Sequence, residues 1–193
     1  MLGATNRRII AIGASTGGVD ALERVFARLP VTILPTVVVI HMQERFTRLF
    51  ADRINDKYPV NVKEAVNGDL LKGGQVLIAP GGKHTEIINR GKGPEIRCFA
   101  GPRVHHVIPA ADILFDSVAN IFGRQAIGVI LTGMGADGAA GLLNMRNKGA
   151  VTIGQNKETC AVYGMPKVAF EMGAVEHVLP LDKIGDKIVS LAR

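Results

Sequence analysis

Apolar runs alternate with amphipathic stretches along almost the whole of this chain. Residues 7–12 (RRIIAI) carry the pattern of a buried strand, and residues 19–29 follow with helical spacing at Val19, Leu22, Phe26 and Leu29. A second apolar run, TVVVI at 36–40, precedes a helix expected over 47–57. The pattern then changes. Residues 60–99 hold short strands broken by turn signals at Asn67-Gly68, Gly73-Gly74, Gly81-Gly82 and Gly91-Lys92-Gly93. The runs at 84–89 and 95–99, flanking the last of these, predict a hairpin. Alternation resumes with a helix at 111–122 whose apolar face is made by Leu114, Phe115, Val118, Ile121 and Phe122. A strand at 126–131, a helix at 139–147, a strand at 151–153, a helix entered by Pro166, a strand at 176–179 and a helix from Asp182 complete the series. Strands apolar on both faces and joined by crossover helices imply an α/β fold. The expectation is a three-layer, doubly wound, mostly parallel sheet with an antiparallel hairpin insertion. With no repeat or linker in view, residues 1–193 are expected to form a single domain.

Composition narrows the function classes. A chain of 193 residues with 47% hydrophobic and 21% charged residues can bury a real core and is not a disordered segment. Its apolar runs fall far short of the roughly 20 residues a spanning helix needs, and no export signal opens it. Membrane insertion is therefore not expected, and a cytoplasmic location is. Cys98 and Cys160 are not expected to pair in such a chain, and two cysteines alone do not cage a metal. The 23 basic and 17 acidic residues leave a net charge of +6. Yet there is no tryptophan, only two tyrosines and no arginine-lysine run, so the stacking platforms of a nucleic-acid binder are missing. A positive surface equally suits an acidic protein partner.

In a doubly wound sheet, ligands sit beyond the carboxyl ends of the strands. Three loops there carry chemistry: Gly13 to Gly18 (GASTGG), His41-Met42-Gln43, and Thr132 to Gly138 (TGMGADG). They offer a nucleophile, Ser15, a general base, His41, and an orienting carboxylate, Asp137. GASTG matches the G-x-S-x-G elbow, in which glycines permit a turn tight enough to expose the serine at a helix N-terminus. By itself it fits a phosphate-binding loop equally well, although Ser15 stands where G-x-G-x-x-G requires glycine. His41 alone reads as a hydrogen-bonded structural residue, and Asp137 alone as a helix N-cap. Their convergence at one sheet edge is what selects them. A rival arrangement, Ser15 with Asp137 and His177, puts its histidine inside a strand pattern rather than in a loop, so His41 is preferred. His84 and the adjacent His105 and His106 show no metal-ligand spacing, and Cys160 has no basic neighbour to activate it.

Longer motifs then add a resemblance across nearly the whole chain. IAIGASTGG, HM-x-x-x-FT from His41, IAPGGKH ending at His84, GVILTGMGADGAAG from Gly128 and QNKETCAVYGMPK from Gln155 resemble the catalytic domain of the chemotaxis protein-glutamate methylesterases, the CheB family. The resemblance implies a serine hydrolase that removes methyl groups from glutamate γ-methyl esters of chemotaxis-type receptors, releasing methanol, and that also deamidates receptor glutamine. It implies the triad Ser15, His41 and Asp137, with oxyanion donors on the backbone of Thr16 and Met134. No cofactor or metal is called for. The implied partner is the methylated cytoplasmic helix of a chemoreceptor, with no nucleic acid and no membrane insertion. The resemblance also implies regulation by a phosphorylatable receiver domain, which is not expected within these residues, so the sequence reads either as an excised domain or as a version regulated differently. Two stretches depart from the family's pattern. Where it usually reads R-H-R-P-S-x-D, this chain has His106 to Asp112 without the arginines and serine, and Gln43 replaces the usual proline. Both bear on substrate contacts rather than on the triad. They keep a second reading in play, a receptor-docking domain without catalysis, beside a Rossmann-type nucleotide-binding module.

Overall fold

The computed structural model describes residues 8–91 and 93–193. Its elements run β1 (Ile9–Ala14), α1 (Gly18–Phe26), β2 (Thr36–Ile40), α2 (Glu44–Lys57), β3 (Asn61–Glu64), β4 (Gln75–Ile78), β5 (His84–Asn89) and β6 (Pro94–Phe99). They continue with α3 (Ala111–Phe122), β7 (Ala126–Ile130), α4 (Ala139–Asn147), β8 (Val151–Gln155), α5 (Met165–Glu171), β9 (His177–Leu179) and α6 (Leu181–Ala192). Seven strands form one parallel sheet in the order β3-β4-β2-β1-β7-β8-β9, and β5 pairs antiparallel with β6.

The apolar runs explain this order. β1 and β2 are buried at every position, and a strand with no polar face must lie inside a sheet covered on both sides. Successive side chains point to opposite faces. Ile10, Ile12 and Val38 pack against α1, α2 and α6 through Leu22, Phe26, Ile54 and Ile184. Ile9, Ala11 and Val37 pack the other way, onto Leu114 and Phe115 of α3, Leu142 of α4 and Ala169 of α5. Ile87 and Ile96 fasten the hairpin to that second core.

Boundaries differ from the periodicity in small ways. α2 begins at Glu44 rather than at residue 47, because its exposed first turn has no apolar period to mark it. Glu44 there faces the positive end of the helix dipole. β8 runs on to Gln155, whose polar side chain hid the strand's last two residues from a hydrophobicity reading. Arg7 and Lys92, placed by periodicity in the first strand and the hairpin turn, lie outside the described residues. No helix among the described residues is long and apolar enough to cross a membrane.

The strand order reverses at the centre of the sheet. The chain leaves β1 for β2 on one side, then returns through the hairpin and α3 to place β7 on the other. Such a reversal opens a crevice beyond the carboxyl ends of the strands concerned.

Candidate active site

Backbone hydrogen bonds carried past the strand ends set the site. Ser15 and His41 are the first residues beyond β1 and β2. The His41 N–H donates to Ala14 O at 3.1 Å, and the Ser15 N–H donates to Thr132 O at 3.0 Å. The serine loop is thus tied to the histidine loop on one side and to the loop after β7 on the other. Gly17 turns the chain from Ser15 into α1 with a φ of 78°, in the left-handed region that favours glycine. The α1 N-terminus therefore opens right behind Ser15, where its free N–H groups favour a developing negative charge.

Asp137 is fully inside the protein, 1% exposed, and its carboxylate is committed at both oxygens. Oδ2 lies 2.7 Å from Nε2 of the partly buried His41 and accepts the Ala111 N–H at 2.6 Å. Oδ1 accepts the Asp112 N–H at 3.1 Å. These two amides are the first of α3, which the helix itself cannot satisfy. The sequence allows Asp137 to be the N-cap of its own helix, but the structure gives that position to Gly138 and spends Asp137 on capping α3 instead. A carboxylate held by two backbone donors cannot turn away from His41. With Nε2–H donated to Asp137, the other ring nitrogen, Nδ1, is left as an acceptor.

Ser15 Oγ makes no hydrogen bond among the described residues, and Ser15 is half-buried. The Ser15 and His41 side chains are thus not hydrogen-bonded to each other in this structure. Thr16 is exposed and Met134 is 74% exposed, and neither N–H is spent on an acceptor among the described residues.

Sequence reasoning passed over the groups that hold the loop after β7. Gln155, 1% exposed, accepts the Thr132 N–H at 2.8 Å and donates to Thr159 O at 2.8 Å. Thr132 Oγ1 accepts the Val162 N–H at 3.0 Å and faces Thr16 O at 3.0 Å. An amide at the end of an apolar strand was the available signal for Gln155. Gly133 has its N–H on Val162 O, and its own O accepts from Gly164 and Met165. A Cβ on Gly133 would meet Met165 Sδ and come within 2.6 Å of Ser15 Cβ. Gly133→Ala is therefore expected to cost about 1–3 kcal/mol of stability by overpacking. It should lower hydrolysis as well, by displacing Ser15; thermal denaturation and an esterase assay on the same preparation check both.

The other candidates lie elsewhere. His177 is on β9, with Nε2 3.6 Å from Glu176. His84 is buried on β5, its Nε2–H donating to Pro102 O at 2.8 Å and its Nδ1 accepting the Ala110 N–H at 3.2 Å. Both Cys98 and Cys160 are free thiols. Burial pushes the Cys160 thiol up to about 11, with Glu158 adding to the effect and Thr132 opposing it. At pH 8 roughly one such thiol in a thousand is ionised, so Cys160 is expected to resist iodoacetamide and to react only in strong alkali. Mass spectrometry of the alkylated protein would read this directly.

The fold and the site define a doubly wound α/β domain that brings a serine, a histidine–aspartate pair and a helix N-terminus to the switch point of its sheet. The chain belongs to the CheB methylesterase family, whose model matches residues 10–188. It is 52% identical over 186 residues to the "protein-glutamate methylesterase/protein-glutamine glutaminase" of Agrobacterium fabrum, covering 96% of this chain and 53% of that protein. A protein similarly named from Syntrophus aciditrophicus is 50% identical over 190 residues, covering 98% and 55%. The chain thus spans about half the length of the curated relatives it matches. Among solved structures, the Thermotoga maritima CheB methylesterase catalytic domain superposes with a TM-score of 0.93 at 38% identity, covering 95% of this chain and 98% of that one.

Proposed function

We propose that this domain hydrolyses glutamate γ-methyl esters on a chemotaxis-type receptor, releasing methanol, and deamidates receptor glutamine by the same attack. The observation that carries the reading is the His41–Asp137 pair, 2.7 Å apart and locked by two backbone donors, one strand away from Ser15. His41 Nδ1 takes the Ser15 proton as Oγ attacks the ester carbonyl. The oxyanion is received by the Thr16 and Met134 N–H groups, each worth about 3 kcal/mol of barrier on the precedent of other hydrolases. The His41 proton then passes to the leaving methoxide, methanol departs, and a water deprotonated by His41 opens the acyl-enzyme to leave glutamate. Asp137 stabilises the imidazolium throughout. In deamidation the leaving group is ammonia and the steps are otherwise the same.

An apolar groove supports a protein substrate. Val19, Met42, Phe46, Leu49, Phe50 and Arg53 line about 320 Å³ between α1 and α2, with Met42, the residue after His41, in its wall. Phe46 and Leu49 are 42% and 62% exposed, as suits a surface that receives an amphipathic helix. A cytoplasmic location and control by a phosphorylated receiver domain belong to the same proposal. The test is methanol release from a methylated receptor fragment. Stoichiometric release by the wild type supports the reading, and receptor binding without release favours a docking role.

A further inference from the structure

The first turn of α3 supplies both amides that hold Asp137, and the connection from β6 leads directly into it. Two residues of that region have no part in the mechanism so far: His105 and Asp112. His105 Nε2 lies 2.9 Å from Asp112 Oδ2. The other oxygen of Asp112 accepts the Gly141 N–H at 2.7 Å. One nitrogen of His105 and one oxygen from each of Asp112 and Asp137 fall within 4.8 Å of one another. Two carboxylates are therefore buried side by side, Asp112 at 7% and Asp137 at 1% exposure, and each is matched to one imidazole. His41 is the inner one; His105, with 44% of its side chain exposed, is at the rim.

We propose that His105 and Asp112 form a second histidine–carboxylate pair that positions charge for the first: His105 keeps Asp112 ionised, and that charge, beside Asp137, strengthens His41 as a base. The inference rests on the reading of His41 as the general base. Burial raises the Asp112 carboxyl above its ordinary range and Asp137 adds to this, while the Gly141 N–H and His105 act against it. Removing His105 takes away one of the two groups that oppose this rise. The remaining groups around Asp112 do not replace His105. Asp116, one turn along α3, accepts from Asn144 at 2.9 Å. Arg103 reaches the His106 carbonyl at 3.2 Å, and both nitrogens of His84 are committed to backbone groups.

The experiment follows the His41 ring by NMR through a pH titration in the wild type, Asp112→Asn, His105→Asn and the double variant. Asn at 112 keeps the acceptor for Gly141, removes the charge and presents an N–H to His105 in place of Oδ2, which the neutral ring meets with its acceptor nitrogen. Asn at 105 tolerates the left-handed backbone of that residue, φ 49°, but is too short to reach Asp112. Asp112→Asn is expected to lower the His41 midpoint by at least about half a pH unit, since a nearby negative charge is lost. His105→Asn should move it the same way, and the double variant no further than Asp112→Asn. The acid limb of ester hydrolysis should shift in parallel. An unmoved midpoint in Asp112→Asn, or an upward shift in His105→Asn, would overturn the proposal. Midpoints that shift as expected in a protein that hydrolyses no ester would uphold the coupling and count against the esterase reading, so the two failures are distinguishable.

Discussion

Ser15→Ala is expected to lower methanol release from a methylated receptor fragment by about 10⁴–10⁶-fold, the loss seen when an activated serine is removed from other triads. The fold should not register the change. Ser15 is half-buried, its Oγ makes no hydrogen bond among the described residues, and its backbone N–H to Thr132 O is untouched by the substitution. Stability should therefore stay within about 0.5 kcal/mol of wild type, as for surface positions without partners. Release and thermal denaturation measured on one preparation decide the matter. Activity that survives the substitution would remove Ser15 as the nucleophile and with it the covalent route.

Asp137→Asn is expected to behave differently, losing about 10⁴-fold in turnover and also losing stability. The turnover loss comes from the ring it orients. An amide in place of Oδ2 presents N–H to His41, so Nε2 must become the acceptor and Nδ1 carries the proton, the wrong tautomer to receive one from Ser15. The stability loss comes from the helix it caps. Both carboxylate oxygens accept backbone donors, Ala111 on one and Asp112 on the other, and an asparagine has one oxygen to offer two amides. One buried N–H is left facing another donor, at a cost of about 1–3 kcal/mol. Urea denaturation beside the kinetics would separate the effects. A variant that is inactive but as stable as wild type would mean that α3 finds another cap.

Much of the fold was legible because burial leaves a plain mark on a parallel sheet. The runs RRIIAI, TVVVI and AIGVIL carry no polar face, so each had to be an inner strand, and β1, β2 and β7 are the central three. The helices 111–122 and 139–147 ended where their apolar periods ended. The start of α2 was not legible, because its first turn faces solvent and solvent imposes no period. The position of Ser15 and His41 at the sheet's carboxyl edge was legible, since each directly follows an inner strand.

The one-dimensional pattern by itself determined the class of fold, the loops that carry chemistry and the three residues worth testing, because periodicity and strand ends are local properties of the chain. What only the tertiary structure decided is how those residues are held. That Asp137 caps α3 rather than α4 depends on a helix starting 26 residues earlier in the chain. That Gln155 fixes the Thr132 amide depends on β8 lying beside β7. That His105 and Asp112 stand beside Asp137 depends on the connection from the hairpin crossing the same edge. Each is a long-range hydrogen bond between groups with no periodic signature, and such pairs exist only once the sheet and its two helical layers have brought them together.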